Sequence, residues 1–354
     1  MKSECRAVID VGTNSVKLLV AEVCRHQVKP LRNLSEATRL GQGLHEAGRL
    51  QAEAIARTAQ VIAEFANAAK ALRPISTRVV ATSAAREAEN REELLAAVKK
   101  LAELEVEVIS GDQEAEWVYD GVSSDPKLHG NPLLIVDVGG GSTEVILGDE
   151  STVSYRKSFP IGALRLFELL KPVDPPSPAD LAQCRTTLDD FLHWEVRPEL
   201  EPALRAVRQR TPRLVGTGGT AAVLARIIAG KGDEPDDLDK ATSLRTKQIR
   251  DTLELLWSTS LAQRLKMDGL PSKRADVVLT GSAVFEAFMT RFDFPQLTVS
   301  RRGLRHGVLL SRPRAGGNLL DPTSRDFGRS LRVVPPSNST FGLPTTRERI
   351  AAQA

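Results

Sequence analysis

Two short apolar runs, broken by a loop with almost no side chains, open the chain, and the same pattern returns well downstream. Ala7–Val11 and Val16–Val23 are rich in β-branched residues and flank the polar stretch Gly12–Ser15, the pattern of two buried strands joined by a tight turn. Leu133–Val138 and Val145–Leu147 flank Gly139–Thr143 in the same way. After the first pair, the alternation predicts a third strand over 27–34. A long amphipathic helix over 51–72 follows, with Ile55, Ala59, Ile62, Phe65 and Ala66 at helical spacing. A strand over 77–81, a helix over 92–104, a strand over 106–109 and a helix starting near Asp112 complete this half. The second half continues with a strand over 152–159, a helix from Gly162, and helices over 178–194 and 196–208. A strand over 213–215 then runs into GTGGT (Gly216–Thr220) and an apolar helix over 221–228. The run 275–279 reads as another strand ahead of a helix, and LTVSRRGLRHGVL closes with a strand, a turn and a helix start.

Three strands followed by alternating helices and strands is the order of a ribonuclease-H-like half domain. The expected fold is therefore α/β, with two such domains facing a central cleft. They occupy residues 1–130 and 131–312 and divide at the turn-forming Gly130-Asn131-Pro132. Residues 313–354 hold five prolines and no sustained periodicity, which predicts a flexible tail. With six arginines, no lysine and three acids, the tail carries the whole formal net charge of +3. The remainder is neutral, and aromatics are only 4% of the chain. Neither a general nucleic-acid surface nor a base-stacking platform is indicated, so DNA is not an expected partner. Cys5, Cys24 and Cys184 are scattered, with no C-x-x-C spacing; that excludes a disulfide framework and points to a reducing compartment. The start has no signal-peptide apolar core and no run reaches membrane-spanning length, so the expectation is a cytoplasmic protein without membrane contact.

The repeated loops carry the chemistry. Gly139, Gly140 and Gly141 leave backbone N–H groups free to approach an anion, and the hydroxyls of Ser142 and Thr143 can join the cradle. Asp137 and Glu144 flank the loop, one on each strand. A carboxylate beside a phosphate nest repels the ligand unless a cation lies between them or the carboxylate handles a water, which points to metal-assisted phosphoryl chemistry. An isolated GGGST is a weak signal; the second copy strengthens it. Asp10 corresponds to Asp137, Gly12 to Gly139 and Ser15 to Ser142, while Asn14 and Lys17 replace Gly141 and Glu144. Two similar domains would each offer one phosphate loop to a shared cleft. GTGGT is a further candidate cradle at a helix N-terminus.

With both hairpins in view, the chain resembles the exopolyphosphatase/guanosine pentaphosphate phosphatase family of the actin-like ATPase superfamily. IDVGTNSVKLLV is similar to the family's first phosphate loop and IVDVGGGSTEVI to its second. VVATSAAREAEN resembles the segment that places an arginine in the cleft, and VISGDQEAEWVYDGV the segment that holds the catalytic glutamate. FPIGALRL, GTGGT and VSRRGLRHGVL follow in the expected order. The resemblance implies that Glu114 is the general base, with neutral Gln113 where the family commonly has an acid. It implies that Glu144 helps position water or metal, that Arg86 stabilises the transferring phosphoryl group, and that Asp137 and Asp10 hold Mg²⁺ or another divalent cation. Thr13, Asn14, Ser15 and Gly139–Thr143 would bind the terminal phosphate. Arg165, Arg301, Arg302, Arg305 and His306 could line a path for the rest of a polyanion, or serve as ordinary surface or helix-cap charge. The implied activity is release of orthophosphate from the ends of polyphosphate. Hydrolysis of the guanosine pentaphosphate alarmone (pppGpp) is the alternative with the same site, and a non-catalytic polyphosphate or nucleotide sensor is the alternative from another class. A homodimer is also expected from the family, as is a short form without the additional C-terminal helical region of longer members.

Overall fold

The computed structural model describes residues 3–25, 27–149, 152–207, 211–230 and 242–311. The tail expected over 313–354 lies outside them. The first half runs β1 (Glu4–Val11), β2 (Ser15–Cys24), β3 (Gln27–Ala37), α1 (Leu44–Ala47), α2 (Ala52–Lys70), β4 (Ser76–Ala81), α3 (Ser83–Glu87), α4 (Arg91–Ala102), β5 (Val106–Val108) and α5 (Gly111–Ser123). β1 to β3 form an antiparallel meander, β4 lies parallel to β1 and β5 parallel to β4, giving the order β3-β2-β1-β4-β5. This is the ribonuclease-H-like order the sequence predicts.

The second half runs β6 (Leu133–Val138), β7 (Thr143–Gly148), β8 (Val153–Phe159), α6 (Ala163–Leu170), α7 (Pro178–Phe191), α8 (Arg197–Ala206), β9 (Arg213–Thr217), α9 (Gly218–Ala229), β10 (Thr242–Arg245), α10 (Thr246–Ser258), α11 (Leu261–Arg264), α12 (Val278–Arg291), β11 (Gln296–Val299) and α13 (Leu304–Leu310). Its sheet, β10-β11-β9-β6-β7-β8, repeats the same wiring with one extra antiparallel edge strand. No helix among the described residues is long and apolar enough to cross a membrane.

Each sheet buries one face under its own helices. Ala59, Ile62 and Ala66, one stripe of α2, pack with Ile9, Leu18 and Val20 in the first core. Phe285, Phe288 and Trp257 fill the second. A third core lies between the sheets, where α5 and α13 bring Val118, Val122, Leu304 and Val308 against Val8, Leu19, Ile135 and Ile146. The two helices cross at glycines because nothing larger fits. A Cβ on Gly121 would collide with the Gly303 carbonyl, and one on Gly307 with the Trp117 carbonyl.

The strand expected over 275–279 does not form. Val278 and Leu279 instead start α12, in which Thr280, Ser282, Ala283, Phe285 and Phe288 are also buried. A helix buried on nearly every side has the same continuous apolar signature as a buried strand. Gly281 sits inside it where α12 presses on Thr220 and Ala163. The elements β10, α10 and α11 have no counterpart in the sequence-based expectation.

Candidate active site

The turns of the two repeated hairpins are the same structure. Gly12 N–H donates to the Ser15 carbonyl at 3.1 Å, and Gly139 N–H to the Ser142 carbonyl at 2.9 Å. The strand registers match too: Asp10 lies opposite Lys17, and Asp137 opposite Glu144. The turns meet face to face, for a Cβ on Gly140 would lie 3.0 Å from Thr13 Cβ and 3.1 Å from Asn14 N, and one on Gly141 would lie 2.7 Å from Thr13 Oγ1. Thr13, Asn14, Ser15 and Ser142 are all buried at this meeting point. Both polar atoms of the Asn14 amide are buried without a hydrogen-bond partner among the described residues. An unmet buried amide costs about 1–3 kcal/mol, which a bound anion and its waters would offset. Thr143 departs from expectation. Its hydroxyl donates to the Ile161 carbonyl at 2.5 Å, so Thr143 can offer the cradle its backbone only.

The carboxylates converge above this floor. Ser110 caps α5 by accepting from Gln113 N–H at 3.1 Å, which sets Glu114 on the first turn of the helix, where its side chain is buried. Arg86, at the end of α3, donates to Glu114 Oε2 at 3.0 Å and to the Ile109 carbonyl at 3.0 Å. Burial lifts the Glu114 carboxyl to about 7; Arg86 pulls it down, and Asp10 and Asp137 push it further up. Asp137 is lifted to about 6, again mainly by burial, with Lys17 opposing and Asp10 reinforcing. Glu144 is raised well above the ordinary carboxylate range by burial and by Glu114 and Asp137, against hydrogen bonds from Ser158, at 2.7 Å, and Ser142. Lys17 Nζ stands 3.9 Å from Asp10 Oδ2, and burial lowers its own pKa. The three raised carboxyls, Glu114, Asp137 and Glu144, share a space that has lost its water.

Two like α/β halves with abutting hairpin turns agree in fold with what comparison with known proteins finds. The model of the Ppx/GppA phosphatase family matches residues 19–314. The chain belongs to that family. Among its relatives, exopolyphosphatase 2 of Mycobacterium tuberculosis is 33% identical over 320 residues, covering 86% of this chain and 97% of that one. A putative exopolyphosphatase of Haemophilus influenzae is 28% identical over 305 residues, 86% and 90% of the two chains. Of solved structures, the PPX-GPPA enzyme of Aquifex aeolicus aligns with a TM-score of 0.70 at 31% identity over 88% of this chain and 100% of that one. An exopolyphosphatase from Cytophaga hutchinsonii aligns at 0.76 and 27% identity, over 86% and 96%.

Within this Ppx/GppA member, the cations expected along a polyanion path are engaged elsewhere. Arg302 donates to the Ser124 carbonyl and hydroxyl at 2.6 and 3.0 Å, and Arg305 to the Leu18 carbonyl and Asn33 Oδ1 at 2.9 and 2.7 Å. His306 is buried, and that burial with Arg305 and Arg302 nearby lowers its pKa to about 3. Arg165 pairs with Glu87; Arg301 is exposed. The cleft instead gains Arg274, which the sequence reading misses. Its Nη2 stands 3.4 Å from Ser15 Oγ, and a Cβ on Gly219 would run into its guanidinium. Burial lowers its pKa, and Arg226 nearby lowers it further. In the sequence Arg274 stands in SKRAD, directly ahead of the run read as a strand over 275–279. GTGGT serves the site by close approach, since Gly218, at φ +80°, leaves no room for a Cβ beside the Asp137 carboxylate.

Proposed function

We propose that this phosphatase-family enzyme is an exopolyphosphatase that hydrolyses the terminal phosphoanhydride of polyphosphate and releases orthophosphate. One observation carries the reading: Glu114, a buried carboxyl held near neutrality, stands hydrogen-bonded to Arg86 over two abutting phosphate-type loops with an unpartnered Asn14 amide. A base with a pKa near 7 can hold a proton and give it up under ordinary conditions. The terminal phosphate rests on the N–H groups of residues 13–15 and 140–143, with the Asn14 amide donating to one of its oxygens. Glu114 takes the proton of the attacking water. Arg86, always charged and forked, then turns to the equatorial oxygens of the transferring group and balances their charge. Glu144 orients the water. Arg274 faces the oxygens further along the chain.

Among the described residues no group of three or more His, Cys, Asp or Glu is placed to hold a metal alone. Mg²⁺ is ordinarily bound through one or two carboxylates plus substrate phosphates, so Asp10 and Asp137 fit that ion when substrate completes the shell. Asp137, raised by burial and by Asp10, has the unmet negative charge that such a cation relieves. The ion's contribution would be to neutralise the oxygens of the scissile anhydride. The test is orthophosphate release, with Mg²⁺ present, from defined-length polyphosphate and from guanosine pentaphosphate side by side. Faster release from polyphosphate is expected. Faster release from the nucleotide would reassign the substrate, and binding of polyphosphate without release from either would make the protein a sensor.

A further inference from the structure

The ion pair between Glu87 and Arg165 joins the two halves at the place where Arg86 must meet the second phosphate loop. Arg165 lies on the first turn of α6, which hangs from that loop. Ala163 N–H donates to the Gly139 carbonyl at 2.9 Å, and the N–H groups of Leu164 and Arg165 donate to the Gly140 carbonyl at 2.9 and 3.1 Å. Gly162 packs so closely on Gly140 that a Cβ there would overlap the Gly140 carbonyl carbon and oxygen. The backbone of α6 and the loop 139–141 therefore move together. Glu87 ends α3, the five-residue helix that carries Arg86. Both of its oxygens are in use: Oε2 takes the Arg165 guanidinium and Oε1 the Ser83 hydroxyl at 2.7 Å. Ser83 in turn abuts the loop, since a Cβ on Gly141 would lie 2.5 Å from its Oγ.

These contacts close a ring from the Gly140 carbonyl through Arg165, Glu87 and Ser83 back to Gly141. We propose that Glu87 and Arg165 are a positioning pair, which fixes α3, and with it Arg86, relative to the loop that holds the transferring phosphate. The pair spans 78 positions of sequence, so it forms only when the two halves come together. Ion pairs that are partly open to solvent add little to stability, and the Glu87 side chain is 33% exposed. Placement is what such a pair supplies, and displacing a catalytic group by about 1 Å lowers rate on the order of 10²-fold. The competing role for Arg165, a cation for the distal polyanion masked by Glu87, predicts the opposite sign for Glu87 variants.

The inference rests on the exopolyphosphatase reading for its kinetic arm only. Polyphosphate hydrolysis is measured for wild type, Glu87→Gln, Arg165→Gln and the exchanged pair E87R/R165E. Amide hydrogen exchange is followed over 83–87 and 139–143 without substrate. Each single variant is expected to lose kcat about 10- to 100-fold with KM changed less than about threefold, and to exchange faster in both segments. The exchanged pair is expected to exceed both singles in kcat. A fall in KM for Glu87→Gln with kcat kept would overturn the proposal in favour of a masked substrate cation. Unchanged exchange in both segments would overturn it as well. If the exchanged pair fails to fold, the single variants decide. Wild type inactive on polyphosphate would sink the substrate reading while the exchange measurement still judges the pair.

Discussion

Replacing Glu114 by glutamine should remove activity and yet stabilise the protein at alkaline pH. The carboxyl sits near 7 in the fold, against an ordinary 4.5, chiefly because burial penalises its charge. Each pH unit of displacement corresponds to about 1.36 kcal/mol, so ionised Glu114 holds the native state back by up to about 3 kcal/mol above pH 8. Glutamine keeps an oxygen for Arg86 Nη1, which lies 3.0 Å from Oε2, and has no charge to desolvate. The pull of Arg86 is already contained in that displacement, and Arg86 keeps the Ile109 carbonyl, so the expected gain is up to about 3 kcal/mol. The sign follows from proton binding. Between 4.5 and about 7 the native state holds a proton that the unfolded chain has released, so this group's destabilisation grows as pH rises through that window and is absent below it. Urea unfolding at pH 5 and pH 8 is the assay, with phosphate release at pH 8 alongside. The variant should lie within about 1 kcal/mol of wild type at pH 5, exceed it by more at pH 8, and lose about 10²–10⁴-fold in kcat. A variant less stable than wild type at pH 8, or a difference that ignores pH, would refute the assignment of a desolvated, ionising base.

Three further outcomes are expected. The kcat/KM of wild type should rise about tenfold per pH unit up to a bend near 7, because the base must be unprotonated; a flat profile between pH 5.5 and 8 would remove Glu114 from that role. Asn14→Ala deletes a buried amide with no partner. It should leave the unfolding midpoint unchanged or raise it, by up to about 1 kcal/mol, while raising KM for polyphosphate; a clear loss of stability would show that the amide is satisfied within the fold. Gly307→Ala drives a methyl into the Trp117 carbonyl at the α5–α13 crossing and should destabilise by about 3 kcal/mol, read as a lower thermal midpoint, with Glu114 on α5 displaced and kcat reduced.

The hairpins were legible because a buried strand next to a loop of glycines has a signature that survives without context. Their duplication predicted two halves, and the matching registers placed Asp10 and Asp137 alike. Arg86 and Glu114 were named from family motifs, and the structure brings them to 3.0 Å of each other across 28 positions of sequence. The contacts of Arg305 and His306 were not legible, because charge in a sequence carries no direction. Both turn inward, to Leu18 and Asn33 in one case and into the core in the other. Helix α12 was taken in part for a strand because burial on all sides erases the period that separates the two.

The sequence alone therefore determined the local elements, the repeated loops and the residue types needed for phosphoryl chemistry, since all of these depend on near neighbours in the chain. Only the tertiary structure decided which groups meet. It set Arg274 beside Ser15, closed Glu87 on Arg165, and buried the Asn14 amide without a hydrogen-bond partner among the described residues. It also raised Glu114 and Asp137, because a carboxyl's pKa depends on the water it has lost and the charges around it, and both are fixed by packing between distant segments.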